Sequence, residues 1–186
     1  MLDELSWQLA GAEELVVEQA ALAAFLARHP LIGLDTMPFI YHVDGHPRYG
    51  PIAGKLFTWI ERRGRAVTST ITMTELLVHP YRKNDINRVN SIYALTSTYP
   101  NLSWVPVTLA LADNAARLRA KYSLRTPDAL HLATAIAGSA TGFVGNDHVF
   151  QRVTELEILL LDTVARRRAA TGPASGQSGP LPEEKL

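Results

Sequence analysis

Leu31-Ile32-Gly33-Leu34-Asp35-Thr36 decides the fold. Its four leading residues are apolar and too few for a helix, so they read as a short buried strand. His29-Pro30 precedes them, and the residue before a proline is pushed away from helical geometry. The run then hands over to an acid and to Thr36–His42, a helical stretch with Pro38 tolerated in its first turn.

Three further acids stand at similar handovers: Glu75 in Ile71-Thr-Met-Thr-Glu-Leu-Leu, Asp128 in Arg125-Thr-Pro-Asp-Ala-Leu-His-Leu-Ala-Thr-Ala, and Asp147 in Gly142-Phe-Val-Gly-Asn-Asp. If the apolar runs are parallel strands, their carboxyl ends share one sheet edge, where open α/β sheets place ligands. Four carboxylates crowded there repel one another unless a cation joins them. Each acid alone also has an ordinary structural role. Asp35 suits an N-cap, Asp128 a first helical turn, and Asp147 a tight turn. Glu75 follows Thr72 at capping-box spacing.

Working outward, residues 3–28 read as one amphipathic helix. Leu2, Leu5, Leu9, Ala12 and Val16 lie in one row, with Leu15, Leu22 and Leu26 beside it. Further strands are expected at 65–69, 102–107, 141–144 and 157–161. Helices are expected at 51–63, 72–79 (stopped by Pro80), 86–99, 109–122 and 127–137. Alternation of this kind predicts a mostly parallel sheet covered on both faces. Three regions follow: an N-terminal helical extension (1–30), an α/β domain (31–162), and a tail (163–186) whose Gly-Pro-Ala-Ser-Gly-Gln-Ser-Gly-Pro run predicts disorder.

Composition narrows the chemistry. Among 186 residues there is no cysteine, which excludes disulfides, thiolate zinc sites and thiol nucleophiles. No His-Glu-x-x-His, P-loop or Gly-x-Gly-x-x-Gly pattern occurs. No apolar run approaches the roughly 20 residues that span a bilayer, and the amino end is acidic, so the expected location is the cytoplasm. The net charge is zero but unevenly spread. Residues 1–30 hold five acids against one base, whereas residues 31–162 hold thirteen Lys/Arg against eleven Asp/Glu, four of them the acids above. Basic surface around an acidic pocket suits a polyanionic substrate held with metal. Oxygen donors with little competing nitrogen or sulfur suit one or two Mg²⁺ ions, so the residues point to magnesium-dependent phosphodiester hydrolysis. Arg48, Lys55, Arg82, Lys83, Arg88 and Arg125 are candidates to grip phosphate, and Tyr41, Tyr49 and Tyr81 to stack on bases, with surface or core packing as the alternative for each. His131 is expected to pack beside the site, and His148 to lie in a solvated turn.

At these residues the chain resembles the PIN-domain ribonucleases, in particular the VapC-type toxins, over about Leu31 to Asp162. Leu34-Asp35-Thr36 resembles the first motif and Ser69-x-x-Thr72-x-x-Glu75-Leu76 the second. Thr126-Pro127-Asp128-Ala129-Leu130-His131 resembles the third and Asn146-Asp147 the fourth. Gly145 departs from the pattern, because a Ser or Thr commonly precedes Asn-Asp there. The resemblance implies a three-layer α/β/α fold and catalytic, metal-holding roles for Asp35, Glu75, Asp128 and Asp147. It also implies Mg²⁺ or Mn²⁺, an RNA substrate, a homodimer and a cognate antitoxin protein. Two rival readings share the fold: a non-catalytic RNA- or protein-binding regulator, and a DNA nuclease. The resemblance does not explain the acidic helix at 3–28, which either packs on the domain or lies across the basic groove or a partner.

Overall fold

Short apolar runs satisfy their backbone polar groups by pairing with one another, and here they do so in one direction. A computed structural model of the protein describes residues 20–166. Helical residues 20–28 form α1. The chain continues through β1 (Leu31–Leu34), α2 (Thr36–Val43), α3 (Gly50–Arg62), β2 (Arg65–Ser69), α4 (Ile71–Arg82) and α5 (Ile86–Thr98). Then come β3 (Leu102–Val105), α6 (Leu109–Tyr122), α7 (Thr126–Ala137), β4 (Gly142–Gly145), a 3-10 turn (His148–Arg152), β5 (Glu157–Leu160) and α8 (Leu161–Arg166). The strands form a five-stranded sheet in the order β3-β2-β1-β4-β5, and every pairing is parallel.

Alternation along the strands divides the core into two layers. Ile32 and Leu34 of β1, Ala66 of β2 and Val144 of β4 pack with α1 to α5 and α8. Val67 of β2 and Phe143 of β4 face the other way, against α6 and α7. The result is a three-layer α/β/α fold. Phe25, Phe39, Phe57, Phe143 and Phe150 are fully buried, each contributing about 2–3 kcal/mol relative to exposure.

Helix boundaries follow local chemistry. Thr108 caps α6 by accepting from the Leu111 N–H at 3.2 Å, and Ser123 ends it in the left-handed conformation at φ 55°. In α7 every residue from Asp128 to Ala135 is buried, as expected of a helix that is apolar nearly all round. It lies between the sheet and α6, and Gly33 sets how closely it approaches. A Cβ on Gly33 would stand 2.3 Å from the Cβ of Ala135 and 2.8 Å from the Phe143 ring.

Several boundaries differ from the sequence reading. Helix α4 runs through Pro80 to Arg82 rather than stopping at His79. Proline removes its own N–H bond and crowds the preceding turn, yet Pro80 is buried within the helix and α4 continues two residues beyond it. Strand β3 ends at Val105, two residues early, because Pro106 follows. The stretch 163–166, expected to open the disordered tail, belongs to α8, with Val164 and Ala165 buried. Helix α1 packs on the domain, one of the two readings given for it, since Leu22, Phe25 and Leu26 join the core. The expected helix before residue 20 and the tail after residue 166 lie outside the described residues.

Replacing Gly33 by alanine should cost about 1–3 kcal/mol of unfolding free energy, the usual penalty of overpacking. Urea denaturation checks this. Adding Ala135→Gly should recover part of the loss, and no recovery would show that the approach of α7 to β1 is not what Gly33 serves.

Candidate active site

Strand order reverses at β1, with β2 and β3 built outward on one side and β4 and β5 on the other. The crevice at the carboxyl ends of β1 and β4 is therefore the switch point at which parallel sheets hold ligands. Asp35 follows β1 directly, and its N–H donates to the Val144 carbonyl at 3.0 Å, tying it to β4. Asn146-Asp147 follow β4. Asp128 stands in the first turn of α7 and Glu75 in the second turn of α4. All four carboxylates line one open cleft of about 400 Å³, together with Thr36, Tyr41, Arg125, Asn146 and His148.

Within the cleft the acids form two pairs, each around a cationic or donor side chain. On one side the His131 Nε2 donates to Glu75 Oε2 at 3.1 Å and lies 3.9 Å from Asp35 Oδ1. The Thr36 hydroxyl also donates to Glu75 Oε2. On the other side Arg125 bridges Asp128 and Asp147. Among the described residues, no three acid or histidine side chains are drawn together as a closed metal cage.

Asp35 bears the strongest electrostatic cost. Burial pushes its carboxyl up from 3.8 to about 6, against the pull of His131 and the backbone N–H groups of Thr36 and Met37. Burial alone would also raise Glu75, but the hydrogen bonds from His131 and Thr36 outweigh it and hold that carboxyl below its ordinary value. A hard divalent cation suits this donor set. The acids offer oxygen, and Nε2 of His131, the buried imidazole beside them, is already committed to Glu75.

The structural roles weighed for the acids divide. Asp35 occupies the N-cap position of α2 but makes no side-chain capping bond. Glu75 closes no capping box, because Thr72 lies inside α4 and bonds the Thr68 hydroxyl at 2.8 Å. Asp128 is a first-turn acid, and Asp147 does cap the 3-10 turn, accepting from the Val149 N–H at 2.9 Å.

The candidate grip residues also separate. Arg125 is in the cleft itself. Lys83 and Arg88 line an adjoining groove of about 520 Å³ that shares Ile40 and Glu75 with the cleft, although Arg88 pairs with Asp44. Lys55 and Arg82 line other surfaces. Tyr41 is buried, and its hydroxyl accepts from Asn146 Nδ2 at 2.8 Å, while the Tyr49 hydroxyl donates to Asp162 Oδ1 at 2.8 Å. Tyr41 lines the cleft and Tyr49 packs against its ring, and of the three tyrosines only Tyr81 is exposed.

Asp162 itself escaped the sequence reading. It is 7% exposed, and its N–H donates to Asn146 Oδ1 at 2.6 Å. Arg48 lies 3.3 Å from the same carboxylate, so Asp162 ties the loop before α3 to the turn carrying Asp147. The signal was present: Ile158-Leu159-Leu160-Leu161-Asp162-Thr163 repeats the apolar-run-to-Asp-Thr pattern of Asp35. Gly145 has a packing reason, since a Cβ there would stand 2.8 Å from the Phe150 ring and 3.2 Å from the Asp35 Cβ.

Comparison with known proteins agrees with this architecture. The family model described as PIN domain matches residues 32–156. No curated protein matches the sequence. Among solved structures, the chain is similar to VapBC2 from Rickettsia felis, bound to a DNA fragment from their promoter. That likeness has 18% identity and TM-score 0.58, over 70% of this chain and 98% of that one. It is similar to a toxin–antitoxin complex from Klebsiella pneumoniae, at 20% identity and TM-score 0.54, over 70% and 96% of the two chains. It also resembles VapC20 from Mycobacterium tuberculosis, a sarcin–ricin loop cleaving toxin, at 15% identity and TM-score 0.54, over 68% and 98%. These likenesses carry the fold, and the match across most of the described residues carries the family: the chain belongs to the PIN-domain family.

Proposed function

We propose that the protein is a divalent-metal-dependent endoribonuclease of the VapC type, hydrolysing RNA phosphodiesters as the toxin of a toxin–antitoxin pair. One observation carries the reading. Four carboxylates from four separate elements line a single cleft at the switch point of the sheet, and one of them is buried at a cost that folding alone gives no reason to bear. Costly ionisable groups gathered in a cleft are a mark of function.

Asp35, Asp128 and Asp147 would hold Mg²⁺ or Mn²⁺, one or two ions per site, with Glu75 completing the set. The ion, when bound, neutralises charge on the phosphate and acidifies a water. The chain itself supplies position. Thr36 and His131 fix Glu75 through Oε2 and keep it ionised, leaving Oε1 for a ligand or a proton. Tyr41 and Asp162 hold Asn146, and thereby the turn that presents Asp147.

RNA as substrate, a homodimer and an antitoxin partner are proposed from membership of the family and likeness to toxin–antitoxin structures. Val78, Tyr81 and Tyr93 share one exposed surface of α4 and α5, which suits such assembly. Among the described residues no helix is long and apolar enough to cross a membrane. The seating of Arg125 between Asp128 and Asp147 favours a second reading, a non-catalytic scaffold whose acids are neutralised internally.

Titration with Mn²⁺ separates the two. The nuclease binds the ion, loses RNA cleavage in EDTA and regains it with Mg²⁺ or Mn²⁺; the scaffold binds none. Asp128→Asn should lower the cleavage rate on the order of a hundredfold or more, since even an outer-sphere partner of a metal costs 10–100-fold. Cleavage that survives EDTA would remove the metal-dependent mechanism.

Asp35→Asn should lose cleavage yet gain stability. With its folded-state carboxyl raised to about 6, the native protein binds this proton more tightly than the unfolded chain does. Stability is therefore fully present below the unfolded value near 3.8 and is lost as pH rises through about 6. In metal-free urea denaturation, the advantage of Asp35→Asn over wild type should grow by about 1–3 kcal/mol across that window. A variant less stable than wild type at pH 7 would mean that Asp35 serves the fold instead.

A further inference from the structure

Arg125 stands immediately before α7, and its planar guanidinium spans two elements. Nε donates to Asp128 Oδ2 at 2.9 Å, and one terminal nitrogen donates to Asp128 Oδ1 at 3.3 Å and to Asp147 Oδ2 at 3.0 Å. Both oxygens of Asp128 are thus engaged by one cation, in the geometry that suits arginine and carboxylate. A hard divalent ion in the cleft needs the same oxygens. The two cations therefore compete for one pair of acids.

We propose that Arg125 is the resident counter-ion of the cleft: it holds Asp128 and Asp147 together until a divalent cation takes them, and the released side chain then meets a phosphate of the substrate. This rests on the nuclease reading and deepens it. The exchange is open from the arginine side, because the Arg125 side chain is 74% exposed and its Asp147 arm joins two exposed groups, a weakly held kind of pair. Charge balance argues for it as well. Without metal, Asp128 and Asp147 lie in one cleft with Asp35 and Glu75, and Arg125 compensates the pair that His131 does not reach. Once displaced, the guanidinium remains tethered beside the first turn of α7, an end of a helix that itself favours anions. Its five donors then match a phosphate as well as they matched a carboxylate. Arg125 is a positioning residue in the metal-free state and a substrate contact in the loaded one.

The test uses the full chain, wild type against Arg125→Gln and Arg125→Lys, with two readouts. In calorimetric titration with MnCl₂ and no RNA, Arg125→Gln should bind about three- to tenfold tighter, since no ion pair has to be broken first. In filter binding of a single-stranded RNA oligonucleotide with Ca²⁺, the same variant should bind about three- to tenfold more weakly. Its salt slope should be shallower by about 0.7, the change for one lost phosphate contact. Equal or weaker Mn²⁺ binding by Arg125→Gln, while wild type binds the ion and cleaves RNA, overturns the counter-ion role and leaves the nuclease reading standing. Tighter Mn²⁺ binding with unchanged RNA binding overturns the phosphate role. No Mn²⁺ binding by wild type removes both the nuclease reading and this inference. If Arg125→Gln loses its far-UV circular dichroism, Arg125→Lys decides, because an ammonium keeps the charge without the bidentate fork and should also bind Mn²⁺ more tightly than wild type.

Discussion

Like charge gathered at one edge of a sheet is the constraint on which the molecule turns. Parallel strands leave their carboxyl ends together, so acids that follow β1 and β4 become neighbours whatever their distance in sequence. Two more arrive on helices α4 and α7. The chain answers the repulsion locally and in two ways: His131 and Thr36 stabilise Glu75, and Arg125 stabilises Asp128 and Asp147. Asp35 is left with the least compensation, a partner 3.9 Å away and a buried carboxyl that resists ionisation. A group kept in that condition is a reservoir of unfavourable energy that a cation can relieve.

The fold serves this arrangement most directly through α7. Its apolar body fills the space between the sheet and α6, and its first two turns supply Asp128 and His131. The same close approach that buries Ala135 over Gly33 holds those turns beside the end of β1. Core and site are thus built from one helix, and they share a dependence on the missing side chain at Gly33. The opposite wall is made differently, by polar contacts. Tyr41, Asn146, Asp162 and Tyr49 form a hydrogen-bonded chain linking α2, the turn after β4, α8 and the start of α3.

Much of this was legible in the sequence, and for physical reasons. Short apolar runs ending at an acid marked β1 and β4, since burial and the strand-to-helix turn leave a local signature. A helix was expected at 127–137, and its burial on nearly every side follows from its place between the sheet and α6. What was not legible depended on tertiary neighbours. Pro80 looked like a stop, yet it is buried within α4, which continues two residues beyond it. Arg125 looked like one surface base among six, because nothing local distinguishes an arginine that turns back across its own helix start to meet a turn 22 residues onward. Asp162 is the instructive omission. It carries the same apolar-run-then-Asp-Thr signature as Asp35, at the carboxyl end of β5, yet it faces Tyr49 and Asn146 instead of lining the cleft. The pattern locates an acid at the productive edge, and strand order decides whether it reaches the switch point.

The amino-terminal helix packs on the domain through residues 20–28. Its described part, α1, ends at the opposite edge of the sheet. His29 Nδ1 lies 2.8 Å from the Thr141 hydroxyl and Nε2 lies 2.8 Å from Glu157, and Arg28 pairs with that same glutamate. Thr141 and Glu157 stand at the amino ends of β4 and β5, as His29 does for β1. The helix therefore clamps the sheet where the strands begin, a full strand length from the carboxylates. Residues 20–28 thus join the core at the edge opposite the cleft and line none of it.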